Sequence, residues 1–375
     1  MQGKEKSNIV IIIGGDHHNG LNLARSLGVN NVVVYALIIC NDGKSFIASS
    51  KYIKKAYYFA NEDSALDYLK TIEFSNKPII FPYSDTAAYA LDMRLNEFKS
   101  SFLIPSICEK QGAIASLMDK NNQINFANIS EIKVANSTII SMKNEISLSI
   151  EFPVILKPVI SAKGDKKDIR VCFSKNEFDA AIICFREKSY ESILCQEYLD
   201  YDYEAVIVGA IYKTSKESDY VVHKILRRWP EKGGTNSFSI EVIDDEIRCK
   251  CGLILEKIKL IGFYGLIDVE VFIKSGNVYL NEINWRNSGG GFRSLRNDFY
   301  YAYWLYLDMQ GKDFSNNWNR KCVYSIVEHS DIRYVFSRKI TLFHWIKDFQ
   351  KAKNRALYYR KDIKPMIKKW FYHFF

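Results

Sequence analysis

Apolar positions come in short unbroken runs through the first hundred residues, and the segments between them have helical spacing. Ile9–Ile13 is one such run, stopped by Gly14-Gly15-Asp16, and Leu21 to Leu27 then places apolar residues at helical intervals. Residues 31–40 form a second run and 77–81 a third, the latter closed by Pro82. Ser84-Asp85 supplies a helix start ahead of Ala87–Phe98. Buried strands alternating with helices predict a parallel, doubly wound sheet. Ligands of such sheets bind at the carboxyl ends of the strands, which puts Gly14–His18 and Tyr83–Thr86 at the expected edge.

Residues 106–150 read as helical, then short and polar, and the pattern changes beyond them. Val171 to Ile183 reads as strand then helix. Leu194–Leu199, Glu204–Tyr212, Tyr220–Leu226, Phe263–Ile273 and Val278–Ile283 read as strands, with helices interspersed. The fold class is therefore α/β, turning to α+β in the second half, with no internal repeat or low-complexity segment.

Composition narrows the picture only a little. The 375 residues are 47% apolar and 25% charged, as in ordinary soluble globular chains. The longest apolar run, Val32–Cys40, falls far short of the roughly 20 residues that span a bilayer. A cytoplasmic protein is expected. The eight cysteines include no Cys-x-x-Cys, which fits reduced thiols. The net charge of +9 matters more for its placement: Arg338–Phe375 holds eleven Lys/Arg against two Asp, so the rest of the chain is neutral.

Candidate chemistry begins at Val278–Ile283, which runs into Asn284-Trp285-Arg286 and then Gly289-Gly290. Glu282 and Asn284 are two apart on a strand, so both side chains leave one face. A carboxylate beside an amide oxygen suits Mg²⁺, a hard cation that takes its other ligands from phosphates and water. Upstream, Lys157 interrupts the apolar strand Phe152–Pro158, where an unpaired charge is costly. The loop Ser161–Asp165 follows it, with Lys163 and Gly164. A strand lysine, a glycine loop and a distal carboxylate pair describe a site for ATP phosphates. Gly14-Gly15 does not complete Gly-x-Gly-x-x-Gly, and Gly43-Lys44-Ser45 lacks the first glycine of a P-loop, so neither motif is accepted.

With these residues in view, the chain over about residues 8–312 resembles an ATP-grasp enzyme. It is closest in character to the carbamoyl-phosphate-synthase-like and D-aspartate-ligase-like carboxylate–amine ligases. The resemblance implies three parts: a pre-ATP-grasp domain over 1–105, an ATP-grasp domain over 106–312 with a lid at about 125–200, and a basic helical extension over 313–375. It implies that Lys120 and Lys157 hold the ATP phosphates under the loop Ser161, Lys163 and Gly164. Glu197, Tyr198 and Leu199 match the hinge that meets adenine, and Glu204 the acid that binds ribose. Glu270, Glu282 and Asn284 match the metal set, with Asp268 as the second choice for its first member. Two Mg²⁺ ions are the usual arrangement, and Mn²⁺ stays open. Arg286 and one of Arg227 and Arg228, with Arg228 preferred, face the group being transferred. Trp285 stands where many relatives have proline.

The reaction implied is ligation. A carboxylate attacks the γ-phosphate of ATP, and an amine displaces phosphate from the acyl phosphate to leave an amide. A thiol or other phosphoryl acceptor, and a non-catalytic nucleotide-binding protein, are the rival readings. His17-His18 is read as a poor metal pair, because adjacent histidines do not face each other and no third ligand is in register. The aromatic, basic tail over 338–375 has the composition of a segment that lies on an anionic membrane, which would suit a cell-envelope or surface-polysaccharide precursor as substrate. The competing reading is a helix packed on the body or on a second subunit. Nucleic acid is not expected as a partner, and a homodimer is left open.

Overall fold

The computed structural model describes residues 9–143, 150–159, 168–231, 233–295, 298–318 and 320–374. Strands β1 (Ile9–Gly15), β2 (Val33–Ile39), β3 (Ile53–Phe59) and β4 (Ile79–Pro82) form a parallel sheet in the order β3-β2-β1-β4. The reason its inner strands read as unbroken apolar runs is visible in the burial. Val10, Ile12, Val34 and Ala36 bury against Leu21, Ala24 and Leu27 on one face. Ile9, Ile11, Tyr35 and Leu37 bury against Leu66, Leu69 and Leu91 on the other. The edge strand β3 carries Lys54 and Lys55 and is half exposed, so it escaped the pattern. The helix expected over Ala87–Phe98 is two helices, Asp85–Met93 and Leu95–Phe98, because Arg94 leaves helical geometry. Ser84 caps the first by accepting from the Ala87 N–H.

A second, antiparallel sheet is built from β6 (Ser137–Ser141), β7 (Val154–Pro158), β8 (Arg170–Cys172) and β9 (Ser192–Glu197) in the order β6-β9-β7-β8. The largest sheet runs β14-β13-β10-β11-β12-β15-β16. Its strands are β10 (Tyr203–Ile211), β11 (Asp219–Trp229), β12 (Thr235–Glu241), β13 (Phe263–Lys274), β14 (Asn277–Asn284), β15 (Tyr324–Ile326) and β16 (Ala352–Arg355), and a short β5 (Ser106–Ile107) pairs with β13. One face is covered by the helix Asp245–Leu260, where Ile207, Val222 and Val269 meet Ile254 and Leu255. From the other face, Val206 and Val208 join the core that also holds Leu21 and Leu27. This second face therefore looks toward the carboxyl edge of the parallel sheet.

The segment after residue 312 carries helices, as expected, and two short strands besides. It contributes β15 and β16 to the largest sheet, between short helices. It is also locked to the first helix, His18–Gly28, by a buried ion pair. The Arg25 Nε donates to Asp362 at 2.9 Å, and its other nitrogens donate to the carbonyls of Ala356, Leu357 and Asp362. Alternation in sequence hid these strands because each is only three or four residues long. Part of the tail's apolar surface is spent inward, with Trp345 and Phe349 packing on Phe238 and Ile326, while Leu342 and Phe343 stay exposed.

Candidate active site

The antiparallel pair β13–β14 sets the acidic centre. Its register places Glu270 opposite Glu282 and Asp268 opposite Asn284, so four oxygen-bearing side chains share one face. The Glu270 carboxyl is raised above the usual carboxylate range, first by burial and then by the charge of Glu282. Like charges held this close call for a cation between them. The residues therefore fit Mg²⁺, with carboxylate and amide oxygens as hard donors. Among the described residues no three His, Cys, Asp or Glu side chains group closely enough to hold a metal alone. An ion here would need the Asn284 amide and oxygens from outside the protein.

Asp268 and Glu270 differ in what else they do. Asp268 accepts from Ser288 Oγ and from Asn284 Nδ2 at 3.2 Å, and lies 3.7 Å from Arg286 Nη1. Glu270 faces Arg228 Nη2 at 3.7 Å and accepts from Asn281 Nδ2 at 3.4 Å. Asp268 is thus committed to the loop after β14, and Glu270 faces Arg228 and Asn281.

Two lysines stand over this pair from different elements. Lys157 lies on β7, opposite Leu194 of β9, and its side chain is buried. Lys120 opens the helix Lys120–Ile129, whose free N–H groups at Asn121 and Asn122 are capped by Asp119. Lys120 and Lys157 line one cavity together with Gln123, Leu194, Gln196 and Asn281. Burial pushes the Lys157 ammonium down to about 8, Lys120 adds to the effect, and Glu282 and Glu270 oppose it. Gln123 was not anticipated. Its amide donates to the Ile283 carbonyl and accepts from the Ile283 N–H, both at 3.0 Å, which pins the metal strand from the side. A polar residue inside a helix gives no sign in the sequence that it reaches a strand 160 residues away.

At the hinge, the Glu197 N–H goes to the Asn136 carbonyl and the Tyr198 N–H to the Pro153 carbonyl. Leu199 is buried beside them, and Tyr198 is partly exposed. Glu204 on β10 accepts from Tyr201 Oη at 2.6 Å and from Arg228 Nε at 2.5 Å. The choice between neighbouring arginines is decided by register irregularities on either side of Arg227. Arg228 turns to Glu204 and Glu270, and Arg227 turns away to Asp331 and Asp348. Ser161, Lys163 and Gly164 lie outside the described residues.

Residues 123–297 match the ATP-grasp domain as a family model. That stretch of the chain is an ATP-grasp domain. Among curated proteins it is 26% identical over 153 residues to the formate-dependent phosphoribosylglycinamide formyltransferase of Francisella tularensis subsp. novicida, covering 39% of this chain and 38% of that protein. It is 24% identical over 265 residues to the protein of that name from Wolinella succinogenes, covering 67% of this chain and 64% of the relative. The chain therefore spans less than two thirds of the length of these relatives. N5-carboxyaminoimidazole synthetase from Staphylococcus aureus, complexed with ADP, superposes with a TM-score of 0.68 at 17% identity, over 90% of this chain and 86% of that one. L-amino acid ligase from Bacillus licheniformis superposes with a TM-score of 0.60 at 12% identity, over 81% and 75%. At such identities the superpositions establish a shared fold.

The ATP-grasp domain meets the parallel sheet at the loop that follows β14. Asn287 donates its N–H to the Pro82 carbonyl and its amide to the Asn19 carbonyl, which stitches the loop to the end of β4 and to the first turn of the helix His18–Gly28. Arg286 reaches across to Asp85, with Nε 3.1 Å from the carboxylate. A side chain at Gly290 would collide with Arg293 Nη1 at 2.1 Å, so this turn needs glycine for close approach. Trp285 does not face the site: it is fully buried and packs edge-on against Phe263 in the core under the largest sheet. The rings of His17 and His18 do approach each other, with centroids 4.0 Å apart, and His18 lies 5.5 Å from His329. Burial pushes His17 down to about 4 and His18 well below its usual value, and His17 caps the helix His18–Gly28.

Proposed function

We propose that this chain is an ATP-dependent ligase that joins a carboxylate to an amine through an acyl phosphate. The observation that carries the reading is the convergence of Lys120 and Lys157, from separate segments, on the Glu270–Glu282 pair. The buried Lys157 and the half-buried Lys120, Glu270 and Glu282 are each costly alone and become favourable together once a polyphosphate and its metal lie between them. In this reading Lys157 and Lys120 hold the phosphates, with Glu197 to Leu199 at the base and Glu204 at the ribose. Glu270, Glu282 and Asn284 hold Mg²⁺, and Asp268 keeps Arg286 and Ser288 in place beside them. Mg²⁺ supplies charge neutralisation across the phosphate oxygens when bound.

The carboxylate oxygen attacks the γ-phosphorus and ADP leaves. The amine then attacks the acyl carbon, loses a proton and expels phosphate. Arg286, poised between Asp85 and Asp268, grips the carboxylate or the transferring phosphoryl with its planar fork. Such a reaction needs positioning and charge neutralisation more than a strong base. The neutral His17 and the neutral, buried His18 fit that requirement. The relatives named above lend no support to an envelope precursor or to membrane contact, and neither is part of the proposal.

The test is ADP release from Mg-ATP against a panel of amino acids, sugar acids and amines, beside Lys157→Ala and Glu282→Ala. Turnover that needs both a carboxylate and an amine, and vanishes in both variants, is expected. Turnover that survives Glu282→Ala, or a wild-type chain that binds no Mg-ATP, would sink the assignment.

A further inference from the structure

The C-terminal segment supplies a clamp to an arginine of the site, and its residues all lie outside the matched domain. Arg227 and Arg228 are adjacent on β11, yet the register with β12 shifts on both sides of Arg227. Such irregularities re-aim side chains beside active sites. Arg227 is held by a two-pronged grip on Asp331, Nε to Oδ1 at 3.0 Å and Nη2 to Oδ2 at 2.7 Å. Its Nη1 donates to Asp348 at 2.7 Å, and its guanidinium lies 4.2 Å from the Phe238 ring. Asp331 also accepts from Ser237 Oγ at 2.8 Å on β12, so one buried carboxylate ties both strands together.

The same segment reaches the next residue through its backbone. Tyr334 Oη donates to the Arg228 carbonyl at 2.7 Å, and its ring meets Trp229 edge-on at 5.2 Å. Arg228 is thereby fixed from behind, while in front its side chain bridges Glu204 and Glu270 and donates to the Gly234 carbonyl at 3.0 Å. Stability alone does not require two adjacent arginines of an inner strand to be secured by three groups from a distant segment. The arrangement makes sense when the arginine at the end of the clamp must point one way.

We propose that Asp331, Tyr334 and Asp348 are positioning residues that aim Arg228 at the nucleotide site. This rests on the ligase reading above and assigns the basic tail a place in its machinery. With nucleotide bound, Glu204 turns to the ribose and Arg228 is left facing the phosphates next to Glu270. The clamp keeps it there.

The experiment is a double-mutant cycle on the full chain, with Tyr334→Phe and Arg228→Lys, reading Mg-AMPPNP affinity by calorimetry. Tyr334→Phe removes one hydroxyl and should weaken binding about fivefold, the worth of one hydrogen bond. In the Arg228→Lys background the same change should cost less than twofold, because Tyr334 acts only through Arg228. Asp348→Asn, which keeps shape and removes one charge, should repeat the pattern. A loss from Tyr334→Phe that is equal in both backgrounds, or absent from both, overturns the clamp. A wild-type chain that fails to bind Mg-AMPPNP brings down the nucleotide reading as well, so the two failures are told apart.

Discussion

Lys157 offers the most direct handle on the site, because its proton is poised to be lost in a measurable range. Burial and the neighbouring Lys120 lower its ammonium from 10.5 to about 8. The sign follows from a folded value below the unfolded one. Between pH 10.5 and 8 the unfolded chain takes up a proton that the folded chain does not, so stability falls as pH falls, by about 1.4 kcal/mol per unit. The site thus carries a cost of about 3 kcal/mol at neutral pH, which bound phosphates remove by pairing with the ammonium. Below pH 8 the nucleotide meets a charged lysine. Above it, binding must bring the proton back, so Mg-AMPPNP affinity should drop about tenfold between pH 7 and pH 9. Calorimetry in buffers of different ionisation enthalpy should show uptake of close to one proton at pH 9. Lys157→Met should bind weakly and without this pH dependence. Wild-type affinity constant within twofold over that range, in protein that remains folded, would refute the charge assignment.

Two further outcomes concern stability. Asp362→Asn keeps volume but leaves Arg25 buried without its counter-charge, and should cost about 3–5 kcal/mol in urea unfolding, whereas an exposed pair such as Lys175–Asp179 should be worth under about 1 kcal/mol. A small effect at Asp362 would mean that the C-terminal segment is only loosely docked. Glu241 is buried with neither oxygen hydrogen-bonded, and burial pushes its carboxyl up to about 7. Its folded value is raised, so the stability it gives below pH 4.5 is lost as pH rises to 7. The stability gain of Glu241→Gln over wild type should grow by about 3 kcal/mol across that window; a difference independent of pH would show that Glu241 is already ionised or solvated.

Much of this protein was legible in the chain because its signals are local. Unbroken apolar runs follow from strands buried on both faces, and Glu282-x-Asn284 shares a face because strand side chains alternate. Lys157 announced itself as a charge inside an apolar strand. What stayed hidden depends on contacts across long separations. The two-residue spacing put Asp268 and Glu270 on the same face and could not rank them; the partners Ser288 and Arg286 draw Asp268 aside, and those meet it only after the loop folds back onto β4. Trp285, which stands where many relatives have proline, gave no sign in the sequence that it packs on Phe263 as core. The tail read as a basic helical extension, on a membrane or packed on the body, because charge and aromatic content are visible in a sequence, whereas the three- and four-residue strands that join it to the sheet and the Asp362 that pairs with Arg25 are not. The sequence by itself determined the buried inner strands and the ATP-grasp character. Only the tertiary structure decided which of two arginines enters the site, because pairing between segments a hundred residues apart sets the direction of a side chain.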